Sequence, residues 1–150
     1  MYLVDTNVVS AGAPSETASP TLAAWMDDNS ADLYMSAVSI AEIEAGIARL
    51  RRQGAQRRAE DLTAWLDTLL HLYAERVLPF GVRAARIAGT LADLARSTGH
   101  VPGFADVVIA ATAKLHGFTI LTRNARHFEA LGVPFLDPFV RLPRAQPPAS

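Results

Sequence analysis

The chain of 150 residues reads as an α/β protein: a parallel central sheet with helices on both faces. Three observations predict this. Five short runs (YLV, LYMSAV, RVLPF, FTILT and VPFLD) are too uniformly apolar for strands with one wet face. Between them lie longer stretches with apolar residues at helical spacing. Half of the residues are hydrophobic and only 19% are charged, enough for a real core in a single domain.

The elements follow in order. YLV (2–4) is a short buried strand, and a Ser/Pro-containing loop leads to a helix around TLAAWMDD (21–28). LYMSAV (33–38) is the second strand. SIAEIEAGIARLRRQ (39–53) is helical, with Ile40, Ile43, Ile47 and Leu50 on one face. AEDLTAWLDTLLHLY (59–73) aligns Leu62, Leu66, Leu69 and Tyr73 in the same way, and RVLPF (76–80) is the third strand. RAARIAGTLADLARS (83–97) is a helix ending before Gly99. FADVVIAATAKLHG (104–117) is apolar around most of its circumference, so it is a buried helix, stopped by Gly117. FTILT (118–122) is the fourth strand, ARHFEAL (125–131) a short helix and VPFLD (133–137) the fifth strand. The folded domain is expected over 1–140, and RLPRAQPPAS (141–150) reads as a disordered tail.

Composition excludes several functions. A formal net charge of -1 gives no support to bulk capture of nucleic acid, so any such binding needs a local patch. Lys114 is the only lysine, while Arg49, Arg51, Arg52, Arg57 and Arg58 share one ten-residue window. That window suits either an RNA backbone or a solvated turn between helices, and the turn is slightly favoured. The absence of cysteine excludes disulfides and thiolate metal sites. No signal peptide and no membrane-spanning run is apparent, so a soluble cytoplasmic protein is expected.

The chemistry lies in where the acids fall. Asp5 ends the first strand, Glu42 sits in the first turn after the second, and Asn124 follows the fourth. Asp106 opens the apolar helix that feeds the fourth strand, so it starts at the same sheet edge. Ligands of open parallel sheets bind beyond that edge. Each residue alone has a plainer role. Asp5 can cap a helix, Ser39-Ile-Ala-Glu42 matches a capping box, Asp106 can complement a helix dipole, and Asn124 can mark a turn. Gathered at one edge, they point instead to a hard divalent cation and phosphoryl chemistry.

With those residues assembled, the chain resembles a PIN-domain ribonuclease of the VapC-like toxin group. LVDTNVVS, SAVSIAEIEAGI and FADVVIAATAKLHGFTILTRNARHFE carry the resemblance, which runs over roughly 1–140. It implies a three-layer α/β/α domain with a mainly parallel sheet, and a Mg²⁺- or Mn²⁺-dependent endoribonuclease. It makes Asp5, Glu42 and Asp106 the metal-binding acids and puts Asn124 where many members carry a fourth. His127 stands where relatives often have another Asp, and neutral groups at both places argue against a second ion. Thr6 and Thr122 fit the role of orienting carboxylates and water through their hydroxyls. Arg123, with Arg49 and Arg52, is the expected substrate contact. The implied reaction is in-line attack by metal-activated water, leaving a 3′-hydroxyl and a 5′-phosphate. The implied partners are an RNA substrate, a small cognate antitoxin protein and a second copy of the chain. A non-catalytic module with the same fold is the alternative. A haloacid-dehalogenase-type phosphatase is a weaker one, because its second acid is Asn7 here.

Overall fold

The computed structural model describes residues 1–14 and 19–144, so parts of the predicted loop (15–18) and tail (145–150) lie outside the described residues. Five strands, β1 (Tyr2–Val4), β2 (Leu33–Ser36), β3 (Val77–Leu78), β4 (Thr119–Leu121) and β5 (Phe135–Leu136), form one sheet in the order β3-β2-β1-β4-β5. Every pairing is parallel. Val4 of the central strand is in register with Met35 on one side and Leu121 on the other. Asp5 and Thr122, which follow β1 and β4, and Ser36, the last residue of β2, therefore lie at the same edge of the sheet.

Seven α-helices among the described residues cover the two faces: α1 (Thr6–Ser10), α2 (Pro20–Asp28), α3 (Ala37–Arg52), α4 (Gln56–Tyr73), α5 (Val82–Ser97), α6 (Phe104–His116) and α7 (Ala125–Glu129). Strand side chains alternate between the faces. Leu3 and Ile120 join Leu91, Ile109 and Phe128 from α5, α6 and α7 in one core. Val4, Met35 and Leu121 join Val8, Ile47 and Leu66 from α1, α3 and α4 in the other. This is the three-layer α/β/α arrangement expected. The all-round apolar pattern of α6 is explained, since Val107 to Ala113 are buried without a break. Its end is also as read: Gly117 adopts φ 70°, a left-handed conformation that costs glycine little, and Phe118 N donates to Ala113 O at 2.9 Å.

Three local readings are corrected. The second strand ends at Ser36 rather than at 38, because Ser36 caps α3, its Oγ accepting from Val38 N at 3.3 Å. Ser39 is consequently inside the helix, so the Ser39–Glu42 capping box does not form and Glu42 is left free to point elsewhere. The segment after Asp5 is not loop but the short helix α1, with Asp5 as its N-cap. The strands are also shorter than their apolar runs; β3 keeps two residues of RVLPF. Apolar character marks what is buried, whereas a strand lasts only while a neighbour supplies hydrogen bonds. At the C-terminal side, Arg141 N donates to Asp137 O at 3.1 Å and Pro143 is buried.

Candidate active site

Asp5 is the centre of the sheet edge. Its backbone N donates to Leu121 O at 2.9 Å, continuing the β1–β4 ladder by one residue and fixing where the side chain emerges. The residue is 4% exposed. Oδ1 accepts from Thr6 N at 2.8 Å, and Oδ2 accepts from Thr122 Oγ1 at 2.8 Å and Asn7 Nδ2 at 3.2 Å. Burial pushes the Asp5 carboxyl above its ordinary 3.8. The bonds from Thr122 and Thr6 oppose the rise, and the charges of Asp106 and Glu42 add to it. Both distant acids are thus close enough to act on Asp5 electrostatically.

Each of those acids is oriented by a neighbour. Thr6 Oγ1 donates to Glu42 Oε1 at 2.7 Å and is hydrogen-bonded to the buried Ser39 Oγ at 2.8 Å. One residue, Thr6, therefore touches Asp5 through its amide and Glu42 through its hydroxyl. Asp106, in the first turn of α6, has Oδ2 at 2.9 Å from His127 Nδ1; the two side chains are 21% and 52% exposed. Among the described residues no arginine or lysine forms a salt bridge with any of the three acids.

Thr122 holds the other side. Its fully buried hydroxyl, besides donating to Asp5, accepts from Asn124 N at 3.0 Å and so shapes the turn into α7. Asn124 is the N-cap position of that helix without a side-chain capping bond, which fits the turn reading. Arg123 N donates to Asn7 Oδ1 at 3.2 Å, and its guanidinium lies 3.7 Å from the centroid of the Phe139 ring. The expected substrate arginines separate. Arg49 lines a cavity of about 300 Å³ that opens beside Thr6 and Glu42 and is also bordered by Arg58 and Trp65. Arg52 is exposed in the last turn of α3 and is not among that cavity's lining residues.

Two residues escaped the sequence reading. Asn7 was noticed only as a missing acid, although its position two residues after a strand-end carboxylate allows its amide to turn back onto it. Ser39 was hidden by the capping-box motif.

A family model described as PIN domain matches residues 2–133. The chain belongs to the PIN-domain family. Among curated relatives it is similar to VapC ribonuclease Y4jK of Sinorhizobium fredii, 38% identical over 144 residues, covering 93% of this chain and 98% of that protein. It is 33% identical over 144 residues to Toxin FitB of Neisseria gonorrhoeae, covering 93% and 99% of the two. The crystal structure of FitAcB from Neisseria gonorrhoeae aligns with a TM-score of 0.81 at 34% identity, over 93% of this chain and 99% of that one. Within this PIN frame the donor set facing the sheet edge is nearly all oxygen, as a hard dication requires. No three carboxylate or imidazole groups among the described residues close around one point. No helix among the described residues is long and apolar enough to cross a membrane.

Proposed function

We propose that this PIN domain is a Mg²⁺- or Mn²⁺-dependent endoribonuclease, the cytoplasmic toxin of a toxin–antitoxin pair. The observation that carries the reading is Asp5: a buried carboxylate held by three donors, with Glu42 and Asp106 adding negative charge and, among the described residues, no arginine or lysine pairing with any of them. Such a concentration of charge is costly unless something positive arrives. The names of two relatives, a VapC ribonuclease and Toxin FitB, support the choice of reaction and role.

Asp5, Glu42 and Asp106 would hold the ion, whose charge would have to draw the three together from positions that do not close around one point. When bound it would activate water for in-line attack and offset charge growing on the phosphodiester. The protein's own groups do the rest. Thr122, Asn7 and the Thr6 amide keep the Asp5 carboxylate oriented, and Thr6 and Ser39 aim Glu42. His127 fixes Asp106. Arg123, after β4, and Arg49, in the cavity beside Thr6 and Glu42, supply the positive charge for the RNA backbone that a net charge of -1 does not. Purified protein should cleave RNA with Mg²⁺ or Mn²⁺ and stop with chelator. Asp5→Asn, Glu42→Gln and Asp106→Asn should each lose on the order of a hundredfold or more, as loss of a transition-state stabilising group does. Equal cleavage by wild type and the triple variant would refute the assignment.

The partners proposed are a small antitoxin and a second copy. FitB has been solved as FitAcB and as FitAB bound to a DNA fragment, and an upstream reading frame lacking a small partner gene would count against this role here. For the second copy, Val82, Val101 and Phe104 are 78%, 84% and 71% exposed, with Phe80 and Phe104 meeting edge to face at 6.1 Å. Exposed apolar side chains of this size support the reading that copies pair here. Light scattering should give a dimer, and Phe104→Asp a monomer.

A further inference from the structure

We propose that Phe139 is a positioning residue for RNA, holding the Arg123 guanidinium against the sheet edge where it meets a substrate phosphate; the inference rests on the ribonuclease reading above. Phe139 lies past residues 2–133, the part matched by the family model, on the segment that follows β5. That segment folds back in a tight turn: Phe139 N donates to Asp137 Oδ1 at 2.9 Å and Val140 N to Asp137 O at 3.2 Å. The turn sets the half-buried ring against the core on the β1–α3 side, with the Arg123 guanidinium 3.7 Å from its centroid.

Arg123 is anchored at its other end as well. Its amide donates to Asn7 Oδ1, and Asn7 Nδ2 in turn donates to Asp5 Oδ2. The residue before it, Thr122, donates to the same Asp5 oxygen. The backbone of Arg123 is thus tied to the carboxylate around which the chemistry is proposed. An arginine stacked on an aromatic face keeps its in-plane N–H donors free, and those donors match a phosphate in fork geometry. Among the described residues no carboxylate pairs with Arg123, so its charge is available to a ligand. Free arginine side chains lose considerable rotamer freedom on binding; the ring removes part of that loss beforehand.

The test compares wild type, Phe139→Leu, Phe139→Trp, Arg123→Gln and the Phe139→Leu/Arg123→Gln double variant on a short single-stranded RNA. Cleavage kinetics and chelator-treated binding are measured together. Phe139→Leu should raise KM and Kd about two- to fivefold, the range for an exposed cation–π pair, with kcat within twofold. Phe139→Trp should restore both. Arg123→Gln should weaken binding further and lower the salt slope by about 0.7, as loss of one phosphate contact on a single strand does. The double variant should be no worse than Arg123→Gln alone. A Phe139→Leu variant indistinguishable from wild type overturns the proposal, as does one whose defect persists in full beside Arg123→Gln or appears in kcat alone. Wild type that binds RNA without cleaving it would sink the ribonuclease reading, and the binding comparison would still decide this one.

Discussion

Thr122→Val removes one hydroxyl and nothing else of consequence, because valine fills the same volume. The hydroxyl is fully buried; it donates to Asp5 Oδ2 at 2.8 Å and accepts from Asn124 N at 3.0 Å. A hydrogen bond to a charged group contributes about 1.5–3 kcal/mol and a neutral one about 0.5–1.5, so the loss expected at pH 7 is ~2–4.5 kcal/mol. Part of that loss depends on pH. The folded Asp5 pKa already lies above 3.8, and the Thr122 bond is one of the two interactions holding it down. Without that bond the folded value rises further while the unfolded value stays. The full penalty is therefore present above the variant's folded pKa. It fades as pH falls through the interval between the variant and wild-type values, leaving the neutral-bond part of ~1 kcal/mol. Urea unfolding at pH 7 and at pH 4, with unchanged m-values, measures both quantities. Thr122→Ser keeps the hydroxyl and should cost only about 1 kcal/mol for the lost methyl. A Val variant within 0.5 kcal/mol of wild type at pH 7, a loss equal at both pH values, or a Ser variant as poor as Val would refute the reasoning.

Three further outcomes follow from the same geometry. Asp5→Asn should cost at least a hundredfold in cleavage, and the stability difference between it and the metal-free wild type, followed by thermal melting, should change as pH falls through the raised folded pKa of Asp5 toward the ordinary 3.8, where the buried charge is neutralised. Ser36→Ala should cost about 1 kcal/mol as loss of a helix cap, whereas Glu42→Ala should change stability by less than half of that, and denaturation of the pair tests which residue caps α3. Gly117→Ala should destabilise by about 1 kcal/mol in the same assay, because its φ of 70° strains any residue with a Cβ.

The sequence alone determined the layers, because burial imposes periodicity: uniformly apolar short runs can only be strands covered on both sides, and α6 announced its burial by lacking a polar face. It also determined that Asp5, Asn124 and Thr122 share an edge, since residues that end parallel strands must. Tertiary structure decided what those side chains do. Whether Glu42 turns back to its own helix or across to Thr6 depends on where β2 ends, a two-residue question that strand propensity cannot resolve and that pairing with β3 and the Ser36 cap do. The Asn7–Asp5 and Arg123–Phe139 contacts were invisible for a similar reason. Neither has a periodic signature: the first needs the turn of α1 directly after Asp5, and the second exists only because the segment after β5 turns back upon the sheet edge.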